Sequence, residues 1–171
     1  AIMQDGAIIQ IGSPEELVER HLLDSVAGAA MVPAGGRLMD VGSGAGLPGV
    51  PLLCVVDGLR GVLVEPRAKR WSFLRTVVRT LELEAEVVCA RTDQLGPQWS
   101  GMDRVTARAV GNHRRLLEWA RPRLDAAGGV LLWTTEADLE TLRGLSEWRV
   151  VICALPRSDR GRLALMQPCS T

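Results

Sequence analysis

Two rhythms of apolar and polar positions run along this chain. Short apolar runs, among them Val62-Leu63-Val64, Val87-Val88-Cys89, Val130-Leu131-Leu132-Trp133 and Val150-Val151-Ile152-Cys153, stand between stretches where apolar side chains return every three or four positions. The runs predict strands covered on both faces, and the stretches predict amphipathic helices. The first helix is expected from residue 13, with Ser13 as N-cap, Pro14 at the first helical position and Glu16 closing a capping box. Val18, Leu22, Val26 and Ala29 or Ala30 follow at helical spacing, and Pro33 with Gly35-Gly36 ends it. Residues 1–12 offer little to fold on. The opening Ala1 to Asp5 lacks the basic start of a signal peptide and reads as a truncated or engineered beginning.

From Arg37 onward strand and helix alternate. Strands are expected at 37–41, 61–65, 87–89, 103–107 and 130–134, with helices at 48–56, 67–82, 113–124 and 136–145. Trp71, Leu74, Val78 and Leu81 share one face of the second of these helices, and a turn at Gly128-Gly129 closes the third. Segments 148–155 and 163–167 are joined by a Pro/Gly/Arg loop with no room for a helix, which implies an antiparallel hairpin at the sheet edge. The fold expected is α/β: a doubly wound, seven-stranded, mostly parallel sheet with a C-terminal antiparallel hairpin. One domain covers 1–171, with a leading helix at 13–32 and a Rossmann-like core at 37–171.

Composition narrows the function classes. The chain has 171 residues, 20 basic and 20 acidic, and a net charge of zero, so any site for a polyanion must be a local patch. No apolar run approaches the roughly 20 residues of a membrane span. Cys54, Cys89, Cys153 and Cys169 show no CxxC spacing, and the first three lie in apolar runs. They are expected as buried small hydrophobes in a reducing cytosol. With two histidines and no His/Cys cluster, no metal centre is expected.

Chemistry concentrates at Asp40-Val41-Gly42-Ser43-Gly44-Ala45-Gly46, where the first core strand ends. Glycines there let a ligand approach the backbone. Gly44 to Gly49 also matches GxGxxG, so a dinucleotide site is a rival. A carboxylate at Asp40 would repel a pyrophosphate, whereas the cationic end of S-adenosylmethionine suits it. The plainer alternative for Asp40 is a partner for a helix N-terminus. Glu65 ends the second strand, placed to accept both hydroxyls of a ribose; its alternative is a solvated strand end. The third strand's exit puts Thr92 and Asp93 over an adenine, and the fourth strand delivers Arg108 to the place where an acceptor must meet the methyl group.

His21-Leu22-Leu23-Asp24-Ser25, the loop 40–46 extended by Leu47-Pro48-Gly49-Val50-Pro51-Leu52, Lys69-Arg70-Trp71-Ser72-Phe73-Leu74 and Ala107-Arg108-Ala109 stand in that order. Together they resemble the bacterial 16S ribosomal RNA guanine-N7 methyltransferases, the RsmG or GidB family, from about Pro14 to the C-terminus. The resemblance implies a cytoplasmic enzyme, a monomer, that transfers a methyl group from S-adenosylmethionine to a guanine N7 of small-subunit RNA and leaves S-adenosylhomocysteine. It implies cofactor contacts from Gly42, Ser43, Gly44, Gly46 and Leu47, from Glu65, from Thr92 and Asp93, and from Arg108 beside the methyl.

Guanine N7 carries an available lone pair, so no general base is required, and Arg108 is the candidate donor to O6. Its alternative is an ion pair with Asp103 or another acid. Arg67, Lys69 and Arg70, and then Arg114 and Arg115, are the candidate RNA contacts, unless they are simply solvated helix faces. His21, Asp24 and Ser25 are expected to pack the leading helix against the glycine loop.

The sequence also departs from the family pattern. Ala107 replaces a serine, and the fifth strand runs into Trp133-Thr134-Thr135 where the family has Lys-Gly. A C-terminal arginine falls among Arg157, Arg160 and Arg162. A divergent paralogue that methylates another substrate, or binds the cofactor without catalysis, therefore stays open, as do a nicotinamide-dependent oxidoreductase and a small-molecule methyltransferase.

Overall fold

The leading helix is the first departure from expectation. The structure, a computed structural model, describes residues 2–4, 7–9, 21–108, 111–156, 158 and 160–169, so the Ser13-Pro14-Glu16 start lies outside the described residues. Strands β1 (Ile2–Gln4) and β2 (Ala7–Ile9) pair with each other as a separate antiparallel hairpin. What is described of the expected 13–32 helix is a π-helical start at His21 and Leu22, α1 (Leu23–Val26) and then a 3-10 turn over Ala29–Met31. The break falls at Gly28, where a Cβ would meet the Trp133 ring at 2.8 Å. Close approach of the indole leaves room only for glycine.

The alternation after it is β3 (Arg37–Val41), α2 (Gly49–Val55), β4 (Arg60–Val64), α3 (Ala68–Thr80), β5 (Ala85–Val88) and β6 (Met102–Arg108). It continues with α4 (His113–Ala120), β7 (Leu124–Thr135), α5 (Glu136–Arg143), β8 (Trp148–Ala154) and β9 (Gly161–Pro168). The seven-stranded sheet has the order β5-β4-β3-β6-β7-β9-β8. Its first five strands are parallel, and β9 runs antiparallel to both β7 and β8. The expected α/β fold and terminal hairpin are present.

Two expectations need correcting. The helix read to residue 124 stops at Ala120, a 3-10 turn covers Arg121–Arg123, and β7 already begins at Leu124. Gly128-Gly129 is therefore inside a strand. Pairing with β6 slips between Met102↔Leu124 and Arg104↔Gly129, and a Cβ on Gly128 would stand 2.7 Å from the Met102 carbonyl. Glycine absorbs a bulge here, where the sequence reads as a turn. All four cysteines are exposed rather than buried. Cys153 lies on edge strand β8, Cys89 follows edge strand β5, and Cys54 faces outward on α2.

Strand side chains alternate between two cores. Met39, Val62, Val105 and Leu132 pack with Leu116, Leu117, Leu139 and Leu142 of α4 and α5. Leu38, Leu63, Leu131 and Trp133 pack with Leu52, Leu53 and Leu74 of α2 and α3. From β3 the chain builds outward through β4 and β5, then returns to place β6 on the other side. The carboxyl ends of β3 and β6 thus flank a topological switch point, the crevice where doubly wound sheets bind ligands.

Candidate cofactor and acceptor site

At the end of β3 the backbone turns through Gly42, Gly44 and Gly46 with φ of +69°, +56° and +92°. These left-handed conformations are where glycine is required. The Gly42 and Ser43 N–H groups both donate to the Val64 carbonyl, at 2.9 and 3.0 Å, which roots the loop on β4. Ser43 Oγ donates to the Asp40 carbonyl at 2.9 Å, and the N–H groups of Gly46 and Leu47 donate to the Ser43 carbonyl.

Glu65 braces the loop from the side. Its carboxylate is almost fully buried; Oε2 accepts from the Gly44 N–H at 3.0 Å and Oε1 from the Arg67 N–H at 2.8 Å. Each carboxylate oxygen keeps a second lone pair for another donor. Glu65 is a fixed acceptor, not a solvated strand end.

Asp40 has a different place from the one expected. It has no exposed surface, so direct contact with a ligand's ammonium is corrected to a supporting role. Oδ1 accepts from the Thr106 hydroxyl at 2.8 Å and Oδ2 from the Gly49 N–H at 3.2 Å. The carboxyl thereby ties β3, β6 and the start of α2 together beneath the loop. Burial pushes its pKa from 3.8 up to about 6, against the lowering effect of these hydrogen bonds. Thr106, which sequence reading missed, betrays itself only as a polar residue in the run Val105-Thr106-Ala107.

Thr92 and Asp93 lie in a 3-10 turn, Thr92–Gln94, after β5. The Trp119 indole N–H donates to the Thr92 carbonyl at 2.9 Å, and exposed Asp93 pairs with Arg91 at 3.5 Å.

Arg108 ends β6 half-buried, and the acid that acts on it is Asp24 of the leading segment. Its Nη2 lies 3.2 Å from His21 Nδ1, and Nη1 lies 3.5 Å from both the His21 carbonyl and Ser25 Oγ. Desolvation pulls its pKa down while Asp24 opposes the change. The leading segment is therefore fastened to the end of the sheet, and α1 also packs on α2, the helix that continues the glycine loop. Beside Arg108 opens a cavity of about 380 Å³ lined by Asp24, Trp133, Thr134, Asp138 and Leu155, at the carboxyl ends of β6 and β7. A larger groove of about 760 Å³ lies between α3 and edge strand β5, remote from these loops.

Of the expected RNA contacts, Arg67 and Lys69 are exposed at the start of α3, whereas Arg70 reaches back to within 3.9 Å of where a Gly44 Cβ would stand. On α4, Arg115 is exposed and Arg114 lies 3.9 Å from Glu147. Arg162 pairs with Glu136 at 2.6 Å, and Arg157 lies outside the described residues. Among the described residues no helix is long and apolar enough to cross a membrane, and no group of three or more His, Cys, Asp or Glu is placed to hold a metal.

The family described as "GidB: rRNA small subunit methyltransferase G" matches residues 4–151. The chain belongs to this family. A ribosomal RNA small subunit methyltransferase G of Gluconobacter oxydans is 33% identical over 165 residues, covering 94% of this chain and 84% of that protein. One from Mycobacterium avium is 35% identical over 150 residues, 81% of this chain and 61% of its own length. A third, from Desulfotalea psychrophila, is 47% identical over 100 residues, or 57% of this chain and 46% of the relative.

The chain thus spans 46% and 61% of the length of the Desulfotalea and Mycobacterium relatives. A SAM-dependent methyltransferase from Aquifex aeolicus superposes with a TM-score of 0.72 at 14% identity, over 90% of this chain and 93% of that one. A precorrin-6y C5,15-methyltransferase from Geobacter metallireducens superposes with a TM-score of 0.65 at 14% identity, over 95% and 94%. This GidB-family chain has the fold of the class I SAM-dependent methyltransferases.

Proposed function

We propose that this chain binds S-adenosylmethionine at the glycine loop and transfers its methyl group to N7 of a guanine in 16S ribosomal RNA, in the cytoplasm. One observation carries the cofactor half. A loop of three left-handed glycines is locked on its flank by the Glu65 carboxylate, and that carboxylate retains lone pairs for a ribose. These residues fit the group: the loop brings bare backbone to a methionine moiety, and the turn at Thr92 and Asp93 stands at the next strand end for an adenine edge. Bound there, S-adenosylmethionine would supply an electrophilic methyl on a sulfonium.

The protein's own part is holding and orienting. Arg108 donates to guanine O6 and leaves the N7 lone pair free, since a hydrogen bond to N7 would quench the nucleophile. Because N7 is unprotonated at neutral pH, alignment of the two reactants is the main task. Exposed Arg67 and Lys69 hold phosphates. Family membership across most of the chain, and relatives named as rRNA methyltransferases, support this reading over an oxidoreductase or a small-molecule methyltransferase.

Calorimetry with adenosylhomocysteine tests it, followed by methylation of small-subunit RNA. Glu65→Ala is expected to weaken binding about tenfold or more, roughly 1.4 kcal/mol. No binding by the wild type would overturn the reading.

A further inference from the structure

The acceptor cavity contains a carboxylate for which methyl transfer to N7 has no evident use. Asp138 lines it together with Arg108. Its Oδ2 accepts from the Thr135 hydroxyl at 2.7 Å, the Thr134 hydroxyl at 3.0 Å and the Thr135 N–H at 3.4 Å. This is the capping box of α5, and it engages one oxygen only. Among the described residues no donor reaches Oδ1. The side chain is held in place with one acceptor atom to spare. The Thr135 hydroxyl foremost, with Thr134 and nearby His113, holds the carboxyl below the usual carboxylate range, so it is ionised at neutral pH and can only accept.

Base chemistry selects what such a group recognises. The Watson–Crick edge of guanine presents two neighbouring donors, N1–H and N2–H₂; adenine and cytosine offer one amino group beside an acceptor, and uracil a single N–H. Guanine O6, beside them, accepts. The cavity holds two carboxylates and one guanidinium; Asp24 is buried and acts on Arg108 itself, whereas Asp138 is partly exposed, so Asp138 and Arg108 carry the complementary groups for that edge. We propose that Asp138 is a specificity-determining residue that reads the acceptor base as guanine by accepting from N1–H and N2–H₂ on the two lone pairs of Oδ1 while Arg108 donates to O6. The proposal rests on the methyl-transfer reading above.

The test compares guanine with inosine, which lacks the 2-amino group. The methylated position is mapped with wild type, and an RNA fragment is made with guanine or inosine at that position. Wild type is expected to prefer guanine in kcat/KM by about tenfold or more, the usual effect of losing one hydrogen bond to a charged group. D138N should lose activity on guanine and show little preference, while binding adenosylhomocysteine as wild type does. T135A removes the strongest capping contact; it should lower thermal stability and keep the preference.

A preference that survives D138N, or that T135A abolishes equally, overturns the assignment. A wild-type ratio near one overturns it without any variant. Failure of wild type to methylate any RNA defeats the methyltransferase reading, and this inference with it; an active wild type with an unchanged D138N ratio defeats the inference alone.

Discussion

Arg108 and Trp133 are register partners on β6 and β7, and both fasten the same leading segment. Arg108 reaches His21 and Ser25, and the Trp133 indole N–H donates to the Asp24 carbonyl at 2.6 Å. Two adjacent strand ends thus hold a piece of chain more than 80 positions earlier beside the cavity next to Arg108.

Trp133→Phe tests that tether. It keeps an aromatic ring in the core but leaves the Asp24 carbonyl without its donor, a loss of about 1–3 kcal/mol for a buried polar group. Urea unfolding should shift by that amount, and amide exchange at residues 23–27 should accelerate. Unchanged exchange would mean that Arg108 alone retains the segment.

Asp40 gives the fold a pH signature. Its carboxyl has a higher pKa in the folded chain, about 6, than its ordinary 3.8. The native state therefore holds the proton more tightly than the unfolded state, and this contribution to stability is present below about 4 and lost as pH rises through about 6. The difference in unfolding free energy between wild type and Asp40→Asn should change by about 2 kcal/mol between pH 4 and pH 7. A constant difference would show that Asp40 titrates normally.

Two loop glycines should respond unequally to alanine. At Gly44 a Cβ meets nothing closer than 3.6 Å, so Gly44→Ala costs only the left-handed backbone, about 1–2 kcal/mol. At Gly46 the Cβ would stand 2.7 Å from Val50 Cγ2 and 3.3 Å from Leu74 Cδ2, with φ at +92°. Gly46→Ala adds a clash inside the core to the same strain, for a total of about 3 kcal/mol or more. Thermal denaturation of both variants gives the ordering, and equal midpoints would contradict it.

If Arg67 and Lys69 hold phosphates, replacing either by alanine should lower RNA affinity whatever the sequence. The slope of log affinity against log salt should then flatten by about 0.7–0.9 per charge removed. Fluorescence anisotropy over a salt series reads this directly. An unchanged slope would return both residues to a solvated helix face.

The glycine loop, the strand–helix order and Arg108's position at a strand end were legible because each leaves a local mark in the sequence. A left-handed turn demands glycine, and a buried strand demands a run of apolar residues. What stayed hidden depends on neighbours distant in sequence. Asp40 reads as a ligand until it is seen fully buried beneath the loop, holding Thr106 and Gly49. The apolar run Val150 to Cys153 reads as doubly covered, but it forms an edge strand whose residues Val151 and Cys153 are exposed. Gly128-Gly129 reads as a turn because a bulge uses the same residue for a different reason. Asp138 was missed since a capping-box acid looks the same whether or not a cavity opens beside it.

The position of β9 bears on how the domain comes into being. It follows β8 in the chain, yet it lies between β7 and β8, and among the described residues β8 has no other neighbour in the sheet. A nascent chain halted before Gly161 has nowhere to seat β8, however complete the five parallel strands are. This half of the sheet closes only after synthesis has passed residue 168, and removing β9 would strip two strands from the domain, not one.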